Sequence, residues 1–137
     1  MSPFHLAIPV TDLDQTLVFY QTVLGCEKGR ESDRWVDLNF FGHQLVLQLV
    51  DGDLLTPASN RVDGHDVPAA HFGPVLDWAG FERLCARFEQ HAVDYLIPPT
   101  VRFKGLPGEQ ATLFVQDPSG NCLEFKAFRN LEQLFAR

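Results

Sequence analysis

The chain has 137 residues, 45% of them hydrophobic and 12 of them Phe, enough for one ordinary domain with a buried core and no covalent staples. A net charge of −7 excludes the clustered Lys and Arg surface that a phosphate backbone requires, so no nucleic-acid partner is expected. Cys26, Cys85 and Cys122 are scattered and form no CxxC pair, which excludes a disulfide framework and a thiolate zinc site and predicts a reducing cytoplasm. There is no apolar run of about 18 residues and no basic segment followed by an apolar h-region, so neither a membrane partner nor export is expected.

In chain order, "FHLAIPV" at 4–10 reads as a strand. "TDLDQTLVFYQTVLG" then reads as a helix, capped at Thr11 or Asp12 and stopped at Gly25, with Leu13, Leu17, Phe19, Tyr20, Val23 and Leu24 at helical spacing. A weaker strand is expected over 26–31, and "WVDLNF" and "HQLVLQLV" form a hairpin across Phe41 and Gly42. The Asp-, Gly- and Pro-rich stretch that follows has no sustained period and reads as a connection.

The order then begins again. "AHFGPVL" is strand-like, and "DWAGFERLCARFEQHAV" is helical with Phe81, Leu84, Cys85 and Phe88 on one face. "DYLIPPTVRF" comes next, and "EQATLFVQD" and "NCLEFKAF" close a hairpin across the Pro118 to Gly120 turn. The fold class is therefore α+β, with two βαβββ modules at about 4–52 and 69–128, a linker at 53–68 and a tail at 129–137. Identity between the halves is low, so the repeat rests on element order and on matched polar residues.

Those residues are His5 and His71, near the starts of the first strands, and Gln48 and Glu124 in the last strands, each the odd polar group in an apolar run. Singly, each has an ordinary reading: a hydrogen-bonded strand histidine, a satisfied strand amide, a carboxylate paired with Lys126 or Arg129. Together, two imidazoles and a carboxylate are what a divalent cation needs, and a metal also removes the desolvation penalty of a buried carboxylate. His5, His71 and Glu124 are the expected ligands, and Gln48 is a candidate fourth.

On "FHLAIPVTDLDQTLVFYQTVLG", "AHFGPVL" and "FVQDPSGNCLEF" the chain resembles the vicinal oxygen chelate superfamily over about residues 4–128. That group includes glyoxalase I, extradiol dioxygenases, fosfomycin-resistance thiol transferases and bleomycin-binding proteins. The Asp-Pro-x-Gly turn with Glu four residues after the Gly is its most specific feature. The resemblance implies a curved mixed sheet around a metal-binding cleft, ligands at His5, His71 and Glu124, and a homodimer whose metal site is built within one chain or shared between two.

With an amide at Gln48, the second carboxylate that serves as base in glyoxalase I-like enzymes is missing, since an amide accepts no proton there. Two His and one carboxylate suit Fe(II), with Zn, Ni or Mn as other metals. Within the superfamily the chain resembles, that set looks like the extradiol-type dioxygenases, which take O2 and a catechol-like molecule. Alternatives are a glyoxalase-like isomerase or lyase, a thiol transferase, and a non-catalytic small-molecule binding protein. Arg102 and Lys104, in a Gly- and Pro-containing loop region, are substrate-binding candidates, whereas His43, His65 and His91 read as surface residues.

Overall fold

The computed structural model describes residues 2–54, 58–62 and 64–137. The chain divides into two compact units, one of Met1–Thr56 with Asp117–Asn121 and one of Pro57–Gln116 with Cys122–Arg137. Among the described residues, no helix is long and apolar enough to cross a membrane.

In the first unit, β1 (His5–Val10) leads into α1 (Leu13–Val18), followed by β2 (Glu27–Glu31), β3 (Trp35–Phe40) and β4 (His43–Leu49). The strands lie in the order β1-β4-β3-β2, with β1 parallel to β4 and the other pairs antiparallel. Asp12 is the N-cap, its carboxylate accepting from Gln15 N at 2.9 Å. The expected single helix instead widens into a π-helical turn over Phe19–Val23 and ends at Gly25, whose φ of 73° suits Gly. Val10, Tyr20, Val36 and Leu47 are fully buried between helix and sheet.

Tyr20 ties this core to the Asp117–Asn121 turn. Its hydroxyl donates to Asp117 Oδ2 at 2.9 Å, and Asp117 also accepts from the backbone N–H of Ser119 and Asn121 and from Asn121 Nδ2. Ser119 Oγ meets Thr11 N at 3.1 Å and Thr16 Oγ1 at 2.7 Å, and Asn121 Nδ2 donates to the Pro9 carbonyl. The Asp-Pro-Ser-Gly-Asn sequence is thus a fastener as well as a turn. Burial raises the Asp117 pKa, and the bonds from Asn121, Tyr20 and Ser119 oppose that rise. A raised folded-state value means that this group's contribution is full in acid and is lost as pH rises through that value. Tyr20→Phe is expected to cost about 2 kcal/mol in chemical denaturation, the scale of a bond to a charged acceptor. It is also expected to move the Asp117 titration to higher pH by NMR.

The second unit contains the hairpin β5 (Ser59–Val62) and β6 (His65–Pro68), then β7 (Val75–Leu76), α2 (Trp78–Gln90), β8 (Ile97–Arg102), β9 (Gln110–Gln116) and β10 (Cys122–Phe128). Its four-stranded sheet has the order β7-β10-β9-β8, again with the first pair parallel. Two expectations change here. The connection at 53–68 holds a hairpin, although residues 55–57 and 63 lie outside the described residues. "AHFGPVL" makes only a bridge at Phe72 and the two-residue β7, with Gly73 lying against the β10 backbone between them.

Leu123, Phe125 and Ala127 point to α2, where Phe81, Leu84 and Phe88 are buried and Phe88 meets Phe125 edge-on at 5.7 Å. Alternation puts Cys122, Glu124, Lys126 and Phe128 on the opposite face of β10. A 3-10 turn, Leu131–Phe135, closes the chain, with Arg129 stacked over Trp78 and paired to Glu109 at 3.0 Å.

Candidate functional site

The face of the second sheet away from α2 carries the strongest candidate. Register places Glu124 opposite Phe114, and Lys126 opposite Thr112, which in turn lies opposite Thr100. His71 precedes the bridge that pairs Phe72 with Leu123. Its Nε2 lies 3.2 Å from Glu124 Oε2, with the two side chains 29% and 12% exposed.

The remaining atoms of the pair are committed. His71 Nδ1 is 2.7 Å from the Pro68 carbonyl, which only accepts, so Nδ1 carries the proton. Glu124 Oε1 accepts from Thr112 Oγ1 at 2.7 Å and has Lys126 Nζ at 3.5 Å. Nε2 and Oε2 therefore face each other as electron-pair donors, an arrangement that needs a proton or a metal cation between them. Burial, then the Glu124 charge, push the nearby Cys122 thiol up to about 11, so it stays protonated at neutral pH and supplies no thiolate there.

In the first unit His5 Nδ1 lies 2.9 Å from Gln44 Oε1, and Gln44 Nε2 donates to Asp37 Oδ2 at 3.3 Å. The carboxylate fixes the amide's orientation, the amide fixes the ring, and His5 Nε2 is left as the outward electron pair. The two histidines thus share one device: Nδ1 held by an oxygen, Nε2 available. Gln44 was not anticipated in this role.

The strand registers revise the expected match of Gln48 with Glu124. The bridge of Phe72 with Leu123 corresponds to Leu6 with Leu45, and the pairing of Val75 with Lys126 corresponds to Pro9 with Gln48. Gln48 is thus the counterpart of Lys126, and Val46 is the counterpart of Glu124. Gln48 lies four residues along β4 from the partner of His5, about 13 Å. Register and distance both count against it as a fourth ligand.

Among the described residues, no three His, Cys, Asp or Glu side chains gather in a group that could hold a metal. His71 and Glu124 form a pair within the second unit, and His5 belongs to the first. The pair lies in a cavity of about 240 Å³ lined by Val62, Val67, Ile97, Phe114, His65 and Arg102, among others. Arg102 lines it and Lys104, among the described residues, does not. His65 is exposed, as expected of a surface residue, and from β6, in the unrecognised hairpin, it also lines the cavity. Phe114, itself buried, meets the His71 ring edge-on at 5.2 Å.

The fold is shared widely among solved structures. A glyoxalase/bleomycin resistance protein/dioxygenase from Alicyclobacillus acidocaldarius is 36% identical with a TM-score of 0.81, over 98% of this chain and 96% of that one. A lactoylglutathione lyase from Agrobacterium tumefaciens (20% identity, TM-score 0.67, 99% and 97% covered) shares the fold. The genomically encoded fosfomycin resistance protein FosX from Listeria monocytogenes does so too (18%, 0.67, 97% and 95%). No curated protein sequence matches significantly. The sequence profile of one family spans residues 2–125, nearly all of both repeats, and the chain belongs to that family, the Glyoxalase/Bleomycin resistance protein/Dioxygenase superfamily.

Proposed function

We propose that the protein is a metal-dependent oxidoreductase of the Fe(II) extradiol-dioxygenase type. Its ligands would be His71 and Glu124 with His5, from this chain or from a second copy, and its substrate a catechol-like or other vicinal-oxygen small molecule. Members of the superfamily typically bind divalent ions and small molecules and often form dimers, and a homodimer is the state we expect. The observation that carries the reading is the facing of His71 Nε2 and Glu124 Oε2 at 3.2 Å with their other polar atoms already committed.

The choice of Fe(II) follows from counting carboxylates. Val46 stands where a second one would, so the set stays at two imidazoles and one carboxylate, which leaves coordination positions open. Held by these residues, Fe(II) would supply redox and Lewis-acid chemistry. The chain's own part is to hold that set. Pro68 and Gln44 fix the imidazole orientations, Thr112 and Lys126 hold Glu124 Oε1, and Val67, Ile97 and Phe114 keep water from one wall.

Anaerobic loading with Fe(II), followed by a panel of catechols, tests the reading. Oxygen uptake with a yellow ring-opened product is the expected result. Turnover that proceeds without O2 would move the protein to the isomerase, lyase or thiol-transferase branch. Tight Zn or Ni binding with no catechol consumed would sink the dioxygenase reading.

A further inference from the structure

One row across the second sheet has a fixed hydrogen-bond polarity. Thr100, Thr112 and Lys126 lie side by side on β8, β9 and β10, and all three line the cavity of about 240 Å³. The row is two residues along the strands from Phe114 and Glu124, about 7 Å. Val62, Val67, Ile97 and Phe114 give the same cavity apolar walls, and a volume below about 300 Å³ admits one substituted ring.

The hydroxyl protons of the row are already used. Thr100 Oγ1 donates to the Pro98 carbonyl at 2.8 Å, and Thr112 Oγ1 donates to Glu124 Oε1 at 2.7 Å. A carbonyl and a carboxylate only accept, so each hydroxyl oxygen is left with lone pairs and no proton to give. Lys126 is the reverse, with three N–H donors and no acceptor. Among the described residues its Nζ has one polar partner, Glu124 Oε1 at 3.5 Å, which also matches its charge. The row therefore offers two acceptors beside one donor.

We infer that this row is a subsite for a neutral group that both accepts and donates hydrogen bonds, a primary carboxamide or a hydroxyl, carried on a single apolar ring. A carboxamide completes it: the carbonyl oxygen accepts from Lys126 Nζ, and the two N–H groups donate to the hydroxyl oxygens of Thr100 and Thr112. A carboxylate accepts from Lys126 but sets its second oxygen against those lone pairs with no proton between, and a ketone leaves them unpaired. Only the role of this group as an anchor for a substrate held at His71 and Glu124 rests on the metal-site reading.

NMR titration of metal-free protein with benzamide, acetophenone and benzoate, three probes of nearly equal shape, tests the subsite without turnover. Benzamide is expected to bind at least about fivefold more tightly than either of the others, the size of one neutral hydrogen bond. Thr100→Val, which keeps the β-branched shape on an exposed strand position, should remove the margin over acetophenone, and Thr100→Ser should keep it. Lys126→Met should weaken benzamide and acetophenone alike. Benzoate binding as well as benzamide, a margin that survives Thr100→Val, or no benzamide binding at all would overturn the assignment. Metal uptake measured on the same protein separates the two readings: no retained metal with the benzamide preference intact would sink the metal site and leave the subsite standing.

Discussion

Glu124→Gln is expected to lower divalent-metal affinity by more than about a hundredfold, the most that loss of an outer-shell partner alone usually costs. Activity with any catechol should fall with it. The substitution keeps the side chain's shape and leaves an amide oxygen to accept from Thr112 Oγ1, now 2.7 Å from Glu124 Oε1. What it removes is the negative charge facing His71 Nε2. The metal-free variant should therefore fold normally by circular dichroism, and competition with a chromophoric chelator should show the loss. Unchanged metal affinity would mean that Glu124 serves only as an ion-pair partner of Lys126.

Gly73→Ala is expected to damage both fold and site. A Cβ at Gly73 would stand 1.7 Å from the Glu124 carbonyl oxygen and 2.7 Å from its carbon, and both are backbone atoms. The strands are pinned at this point by Glu124 N donating to Phe72 O at 2.8 Å and Phe72 N donating to Cys122 O at 3.3 Å. Relief requires β10 to move at the residue that carries the carboxylate. A cost of about 3 kcal/mol, at the upper end for overpacking, corresponds to a fall of about 10 °C in Tm. Metal affinity should fall as well. A thermal melt unchanged to within a degree or two would show that this contact is looser than described.

Much of this was legible in the chain. The order β-α-β-β-β, twice, follows from hydrophobic periods and the Gly25 stop, and the Asp12 cap from local chemistry. His71 and Glu124 stood out because each interrupts an apolar strand, and the second unit brings them together. The pairing of Gln48 with Glu124 failed for a physical reason: a two-residue slip leaves every side chain on its original face, so alternation cannot detect it. Only the pairing of Leu6 with Leu45 and of Phe72 with Leu123 reveals Val46 as the counterpart.

Other parts of the site come from pairing that no local pattern encodes. Thr112 and Phe114 approach Glu124 and His71 because β9 lies beside β10, and Gln44 holds His5 because β4 lies beside β1. The hairpin that carries His65 was missed for a different reason. A short hairpin in a Pro- and Gly-rich connection has too few alternating residues to register as strand, yet it forms one wall of the cavity.

The central claim, a divalent ion held by His5, His71 and Glu124, is tested most directly by metal content. Purified protein is incubated anaerobically with Fe(II), freed of unbound metal by gel filtration, and analysed by mass spectrometry alongside His5→Ala. The account predicts one ion per chain in the unmodified protein and less than a tenth of an ion in the variant. Loading equal in both, or no retained iron in either, would contradict it.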